Sequence, residues 1–181
     1  MALHRLETEI PAVSPPRFVQ IMLDESSGLI NEWQGDHSPR QFVPADYYLI
    51  YEALRALRPR FGPAPLFCEW GSGFGLATLM AASLGWQATG IEIQGKLVAE
   101  SRRISRSFGI RARFLHGSFF PNDPEAVENL ATILGGSDLC YVYPWPDEEI
   151  RIFDLFDRHA KPGATLLAYH GIEDVRIYQK D

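Results

Sequence analysis

The sequence predicts a doubly wound α/β fold, in which helices cover both faces of a mainly parallel, Rossmann-like sheet. Three observations lead to it. Short apolar runs alternate with helix-like patterns from Leu66 to Tyr169. A glycine-rich segment, Gly71 to Gly75, follows the first run where a strand would turn into a helix. Hydrophobic residues make up 46% of the 181 residues, which suffices for a single core. Alternating strands and helices form crossover units with parallel strands and a three-layer α/β/α architecture.

The first forty-three residues differ from the rest in composition. They contain a Ser26-Ser27-Gly28 cluster and one short apolar piece, Phe18 to Leu23, among the prolines Pro11, Pro15, Pro16 and Pro39. Such a stretch is typical of loops, so we expect residues 1–43 to form an N-terminal arm or lid. Residues 44–181 then form the domain, which begins with an amphipathic helix from Pro44 to Leu57.

The remaining elements follow from apolar spacing. Runs rich in β-branched, aromatic and aliphatic residues predict five strands, at Leu66 to Trp70, Gln87 to Ile93, Ala112 to His116, Leu139 to Tyr143 and Ala164 to Tyr169. Three- and four-residue spacing predicts helices after the glycine segment, from Leu97 to Phe108, from Pro124 to near Gly135-Gly136, and from Asp147 to Ala160. Asp174 to Lys180 leaves room for one short extra strand.

Charge and cysteine usage bound the possible partners. The net charge of -6 disfavours phosphate backbones and anionic lipid, so nucleic acid is an unlikely partner. We find neither a secretory signal nor a bilayer-spanning stretch. Cys68 and Cys140 lie in strand-like runs, which predicts reduced, buried thiols in a cytoplasmic protein. The scattered histidines show no metal-ligand spacing, so we expect no metal site.

The glycine segment and its acidic neighbours predict a nucleoside ligand. In open parallel sheets, the first strand-to-helix turn lines the ligand crevice. The third glycine of a dinucleotide fingerprint is replaced by Leu76, and Glu69 would repel a pyrophosphate. A ligand that bears an ammonium and a sulfonium suits this carboxylate better. Glu92, at the end of the second strand, can accept hydrogen bonds from both ribose hydroxyls.

Three motifs together resemble a known family. They are Glu69-x-Gly71-x-Gly73-x-Gly75, Gly90-Ile91-Glu92 and Gly117-Ser118, and they are similar to the successive motifs of class I S-adenosylmethionine-dependent methyltransferases. The resemblance implies strand order 3-2-1-4-5, which would make Cys68 and Cys140 neighbours. It also implies S-adenosylmethionine as the cofactor, held by Glu69, Gly71, Ser72, Gly73 and Gly75 at the methionine end, by Glu92 and Ile93 at the ribose, and by Ser118 and Phe119 at the adenine.

The segment after the fourth strand would face the methyl group. Tyr143-Pro144-Trp145-Pro146 resembles the family's Asn-Pro-Pro-Tyr type of motif in its prolines and aromatic rings, but it lacks the amide or carboxylate at the first position. Tyr143 offers a hydroxyl acceptor, Trp145 an electron-rich face, and His170 a candidate general base. Equally, the two aromatic residues could only close the end of the sheet, and a lone histidine is more often structural.

Three functions are therefore compatible with the sequence. The first is a methyltransferase that acts on a small molecule or a protein side chain. The second is an S-adenosylmethionine-binding protein without transferase activity, which the unusual segment at Tyr143 would explain. The third is a nicotinamide-dependent oxidoreductase, which the glycine spacing and Glu69 disfavour.

Overall fold

A computed structural model describes residues 3–36, 42–120 and 131–181, which form a seven-stranded sheet covered by helices. The strands are β1 (Leu3–Arg5), β2 (Leu66–Trp70), β3 (Gln87–Glu92), β4 (Arg113–His116), β5 (Leu139–Val142), β6 (Thr165–Tyr169) and β7 (Val175–Lys180). The helices are α1 (Arg17–Asp36), α2 (Tyr47–Leu57), α3 (Leu76–Ser83), α4 (Gly95–Ser107) and α5 (Glu149–His159). Arg58–Arg60 is a 3-10 turn, and residues 131–136 are helical. The helix predicted from Pro124 begins outside the described residues.

The sheet has the predicted order at its centre. Its strands follow one another as β1-β7-β6-β5-β2-β3-β4. The five strands from β2 to β6 pair with one another in parallel. Counted in chain order, these five strands give 3-2-1-4-5, which confirms the expected topology. Cys68 pairs in register with Cys140 across β2 and β5, also as predicted, and both thiols are free and buried.

Two antiparallel strands extend the sheet beyond β6, where the sequence predicts only one. β7 pairs with β6, and β1 pairs with β7 through Leu3 opposite Lys180. The short run at Leu3 gives no strand signal of its own, because a three-residue edge strand is too brief for an alternating pattern. The predicted C-terminal strand is thus present as β7, and the strand beyond it, β1, comes from the N-terminal end of the described chain.

Both faces of the parallel sheet are buried. β2 shows this directly, because Phe67 packs with α2 and α3 on one face while Cys68 and Trp70 pack with α5 on the other. Strands covered on both sides read as continuous apolar runs, which is why the sequence pattern identified them. The three-layer prediction is confirmed.

The segment expected to be an arm or lid contains the 20-residue helix α1. Four of its apolar residues, Val19, Met22, Leu23 and Ile30, are buried in the core with α2 and α3. The Ser26-Ser27-Gly28 cluster lowers the helix propensity at its centre, but burial of this apolar stripe outweighs that cost. The boundary at residue 43 stays a prediction.

Helix α2 begins later than predicted. The sequence placed its start at Pro44, whereas the helix runs from Tyr47 and Asp46 is the residue that caps it. The Asp46 carboxylate accepts hydrogen bonds from the backbone N–H groups of Tyr48 and Leu49, both at 3.1 Å. An aspartate at this position satisfies the otherwise unpaired amides of the first turn.

None of the helices in the described part of the chain is both long and apolar enough to cross a membrane.

Candidate functional site

A cleft of about 750 Å³ opens at the carboxyl ends of the parallel strands. Its loop side consists of residues that end or follow β2, β3 and β4, namely Trp70, Gly71, Glu92, Ile93, Gln94, Ser118, Phe119 and Phe120. Its turn side consists of residues that follow β5 and β6, namely Tyr143, Pro144, Trp145, Pro146, Glu148 and His170. The two sides meet between β2 and β5, where the order of the sheet reverses, as in other doubly wound folds that bind ligands.

The glycine loop is held against β3 by its backbone. The N–H groups of Gly71 and Ser72 both donate to the carbonyl oxygen of Ile91 at 2.9 Å. Gly71, Gly73 and Gly75 have positive φ angles of 74°, 52° and 75°, a conformation that other residues adopt only with strain. A Cβ atom on Gly75 would lie 2.4 Å from the Phe114 ring, so a side chain there would force α3 away from the sheet. Glycine therefore fixes the loop's shape.

Only part of the predicted loop site borders the cleft. Gly71 lines it, whereas Ser72, Gly73 and Gly75 are not among the residues around it. The ring of Phe42 covers Gly73, since a Cβ atom there would lie 2.3 Å from the Phe42 ring. The Ser72 hydroxyl is buried and has no hydrogen-bond partner within the described residues.

Glu69 lies behind the loop and does not border the cleft. Its carboxyl group accepts a hydrogen bond from the Thr78 backbone N–H at 2.8 Å and another from the Thr78 hydroxyl. Thr78 is in the first turn of α3, so Glu69 satisfies an unpaired amide at the helix N-terminus. Burial raises the pKa of Glu69 from 4.5 to about 8, and the bonds from Thr78 oppose that rise. Its predicted contact with the ligand stays a prediction.

Glu92 joins the loop to the cleft. One of its carboxylate oxygens accepts the Gly73 N–H and the other accepts the Gln94 N–H, each at 2.8 Å. The residue is 6% exposed, and that exposed part faces the cleft. Two carboxylate oxygens can accept about four hydrogen bonds, so this group keeps capacity for two hydroxyl donors.

The far wall of the loop side is aromatic. The Phe119 ring stacks on Trp70 at a centroid distance of 6.1 Å and an interplanar angle of 24°. It also lies against the loop, 3.6 Å from where a Cβ atom of Gly71 would be. The Ser118 hydroxyl accepts the Phe120 N–H at 2.9 Å. Ser118 and Phe119 therefore form a flat, partly apolar surface of the kind that accepts a planar base.

The turn side brings together all three predicted catalytic residues. The Tyr143 ring packs against the Tyr169 ring at 4.7 Å, and its hydroxyl lies near Gly171. Burial, with a smaller contribution from Tyr169, raises the pKa of Tyr143, so the phenol keeps its proton at neutral pH. Trp145 is 37% exposed and borders the cleft. Tyr143, Trp145 and His170 thus share one wall.

His170 is partly enclosed and uncharged at neutral pH. Burial lowers its pKa below the usual 6.5, assisted by Arg176 and opposed by Glu149 and Asp174. Its Nε2 atom is buried, lies 3.8 Å from a Glu149 carboxylate oxygen and has no hydrogen-bond partner in the described residues. This nitrogen faces α5, so proton exchange with the cleft would have to use the other ring nitrogen.

Several cleft residues were not predicted from the sequence. Glu148 borders the turn side, and burial together with the Asp147 charge raises its pKa. Phe42 and Val43 reach the cleft from the segment before α2. The position of Glu148 just after the proline segment was a usable signal, but Phe42 lies in a segment whose packing the sequence does not reveal. No group of three potential metal ligands occurs in the described ranges.

Comparisons with known proteins agree on the fold. No family model matches the chain. It is 32% identical over 114 residues to the ribosomal protein L11 methyltransferase of Thermus thermophilus, a match that covers 60% of this chain and 42% of that protein. The chain therefore spans less than half the length of the curated relative it matches.

Solved structures resemble the chain over more of its length. A methyltransferase from Geobacter sulfurreducens matches 93% of this chain and 92% of its own, with a TM-score of 0.61 and 14% identity. The methyltransferase PaMTH1 of Podospora anserina, with S-adenosylhomocysteine bound, matches 87% of this chain and 63% of its own, with a TM-score of 0.63 and 16% identity. The chain has the fold of class I S-adenosylmethionine-dependent methyltransferases, and the resemblance drawn from its motifs is confirmed at that level.

Proposed function

We propose that this chain is an S-adenosylmethionine-dependent methyltransferase that acts on a small molecule or a protein side chain. One observation carries the proposal. A single cleft at the reversal point of the sheet has the loop residues Gly71 and Glu92 on one side and the turn residues Tyr143 and Trp145 on the other. A donor site and an acceptor site would thus share one cleft, as a transferase requires.

The loop side fits the nucleoside part of the proposed cofactor. Glu92 borders the cleft and has unused acceptor capacity for the two ribose hydroxyls. Ser118 and Phe119 would hold the adenine, and Ile93 would lie beside the ribose. The cleft volume of about 750 Å³ is within the range of small-molecule sites, which commonly span roughly 300–1,000 Å³.

The methionine end would be held mainly by the loop backbone. Gly71 borders the cleft with a positive φ, which permits close approach of a ligand to the main chain. Glu69 would affect cofactor binding indirectly, because its carboxyl group caps α3 through Thr78 and stabilises the loop that precedes that helix. Ser72, Gly73 and Gly75 would likewise shape the loop.

The chain's own chemical task is to orient the acceptor and exclude water. When bound, the cofactor supplies an electrophilic methyl group on a sulfonium sulfur, so the protein needs no nucleophile of its own. The rings of Tyr143 and Trp145 and the rigid prolines between and after them enclose the acceptor end. The Tyr143 hydroxyl, protonated at neutral pH, can donate a hydrogen bond that orients an acceptor.

The net charge and the name of the curated relative favour a small or proteinaceous acceptor over nucleic acid. The curated relative is, by its name, a methyltransferase of a ribosomal protein. A net charge of -6 opposes binding to a phosphate backbone. We place the protein in the cytoplasm, since the neighbouring thiols of Cys68 and Cys140 are unbridged.

Calorimetry with purified protein tests the cofactor assignment. S-adenosylmethionine and S-adenosylhomocysteine should bind with one-to-one stoichiometry, whereas NAD should not, because Leu76 stands where a dinucleotide fingerprint has its third glycine. Binding of NAD alone would favour the oxidoreductase function. Binding of S-adenosylmethionine with no methyl transfer to any acceptor in a broad screen would favour the binding-only function.

A further inference from the structure

The turn at residues 145–148 presents two chemically different side chains to the cleft. The Glu148 backbone N–H donates to the Trp145 carbonyl oxygen at 2.9 Å, which closes the turn. Helix α5 begins at the next residue, so the turn is anchored by the helix behind it. Trp145 and Glu148 both border the cleft. An aromatic face and a carboxylate are therefore offered together on a rigid support.

The charge around the cleft favours a cationic acceptor. Its described lining includes the acidic residues Glu92 and Glu148 and contains no lysine or arginine. Of the nearby guanidinium groups, Arg176 pairs with Asp174 and Glu149, while Arg151 lies over the ring of the cleft residue Phe120 and keeps its charge. A carboxylate, phosphate or phenolate acceptor would meet repulsion here, whereas an ammonium group would be attracted.

Trp145 adds a second attraction of the same sign. An ammonium group over an indole face is stabilised by the negative face of the ring, by about 0.5–2 kcal/mol depending on its exposure to water. The Trp145 side chain, at 37% exposure, is free to take such a contact. A flat neutral acceptor would contact only the Trp145 ring. It would offer no positively charged group to the Glu148 carboxylate.

We propose that the Trp145–Glu148 turn is the acceptor subsite and that the acceptor is an aliphatic amine, which Glu148 binds and deprotonates. This inference rests on the proposed function and names the substrate class of the same cleft. The amine can belong to a lysine side chain or to a small molecule, since both present the same ammonium group.

Glu148 is better placed than His170 to take the proton. The buried Nε2 atom of His170 lies beside Glu149, while Glu148 reaches the cleft. Burial and Asp147 raise the pKa of Glu148, and Arg151 and the Trp145 N–H only partly oppose them. Enclosure lowers the pKa of an amine, so the two groups approach each other in proton affinity.

The proton and electron changes balance without any further reagent. An N–H bond of the ammonium group breaks and its proton goes to a Glu148 carboxylate oxygen. The nitrogen lone pair left behind then forms a bond to the methyl carbon, and the carbon–sulfur bond breaks with both electrons retained by sulfur. The products are a methylated ammonium ion, which carries the positive charge lost by sulfur, a neutral thioether and a protonated Glu148, which returns its proton to water.

An acceptor panel with radiolabelled S-adenosylmethionine is the first test. The amine probes are n-butylamine and a lysine-containing peptide, and the comparison probes are 4-methylcatechol, thiophenol and benzoate. We expect label only on the amines, and the ratio between the peptide and n-butylamine identifies the source of the acceptor. Transfer to the oxygen or sulfur probes without transfer to the amines would overturn the inference.

Variants locate the subsite. Glu148→Gln keeps the shape of the side chain and should lower kcat/KM for the preferred amine by about a hundredfold, within the range for loss of a general base. It should also abolish the rise in rate as pH increases through the pKa of Glu148. Glu173→Gln is the matched control, because it removes an exposed carboxylate outside the cleft and should leave both quantities unchanged. Equal rates and pH profiles for wild type and Glu148→Gln would contradict the proposal.

A binding measurement separates failure of this inference from failure of the proposed function. Saturation-transfer NMR of n-butylamine should show contact with wild type and Glu173→Gln, and a loss with Glu148→Gln or Trp145→Leu. If S-adenosylhomocysteine binds but no variant difference appears, the amine subsite is wrong and the proposed function stands. If no nucleoside binds, the proposed function is wrong, and the NMR result still decides whether amines bind at Glu148.

Discussion

The two sides of the cleft are built differently. The loop side depends on buried backbone contacts, in which Gly71 and Ser72 bond to Ile91 and Glu92 is 6% exposed. The turn side depends on partly exposed side chains such as Trp145, at 37% exposure, on a short turn before α5. Changes on the loop side should therefore affect both stability and binding, whereas changes on the turn side should affect acceptor use alone.

The largest expected effect is on the pH dependence of stability, and it comes from Glu69, whose carboxyl group lies behind the glycine loop. The pKa of Glu69 is about 8 in the folded chain and about 4.5 when unfolded, so the folded state holds the extra proton between these values. The stabilisation that this proton gives the folded state is complete below pH 4.5 and is lost as pH rises through about 8. Between these values the free energy of unfolding falls with a slope approaching roughly 1.4 kcal/mol per pH unit. Urea denaturation of wild type and Glu69→Gln from pH 5 to 9 measures it, and identical pH slopes would show that Glu69 is ionised in the folded state.

Glu92→Ala should have the next largest effect, on cofactor affinity. Each hydrogen bond to a charged group contributes about 1.5–3 kcal/mol, so the loss of two ribose contacts should weaken S-adenosylhomocysteine binding by roughly a hundredfold or more. Glu92→Gln keeps the side-chain shape but removes the charge and sets an NH2 group against one of the two backbone N–H donors, those of Gly73 and Gln94. Glu100→Ala on α4, where Glu100 pairs with Arg103, is the control. Calorimetric affinities that are equal for Glu92→Ala and Glu100→Ala would remove Glu92 from the site.

Gly90→Ala should destabilise the fold by about 1–3 kcal/mol, as expected for overpacking. Its Cβ atom would lie 2.7 Å from the Ser72 Cβ and 2.8 Å from the Thr78 hydroxyl, both of which belong to the loop and its helix. Gly62→Ala is the control, since nothing lies within 4 Å of its Cβ position. The difference in unfolding free energy between these variants checks the prediction, and equal values would mean that the loop can move without cost.

The smallest expected effect is that of Trp145→Leu on stability. A partly exposed side chain outside the core should change the free energy of unfolding by no more than about 0.5 kcal/mol. Chemical denaturation checks this, and S-adenosylhomocysteine affinity should also be unchanged. A loss of several kcal/mol would show that the turn side is part of the core after all, and the contrast between the two sides would not hold.

The sequence predicted the features that local chemistry determines. The strands from β2 to β6 are buried on both faces and read as apolar runs, and parallel order follows from the helices between them. The loop could be located because Gly71, Gly73 and Gly75 all adopt positive φ. The position of Glu92 at the cleft could be predicted because a strand end next to such a loop faces the crevice.

What the sequence missed depends on contacts between distant segments. Helix α1 is stabilised by packing on α2 and α3, and no local pattern overrode its Ser26-Ser27-Gly28 cluster. The hydrogen bonds of Glu69 to Thr78, nine residues later, were not predicted either, and the expected contact of Glu69 with the ligand stays a prediction. The placement of Glu148 and Phe42 at the cleft likewise depends on how a turn and an arm fold over the sheet.

The pairing of β1 with β7 has a consequence for the order of folding. It joins Leu3 to Lys180, so it closes nearly the whole chain into one loop and is among the most distant contacts in sequence. Such contacts incur the largest loop-closure entropy, so we expect this pairing to form after the parallel centre is in place. The same three-residue strand lies at the edge of the sheet, so its amides should exchange with solvent sooner than those of β2 and β5, and local opening of the sheet should start there.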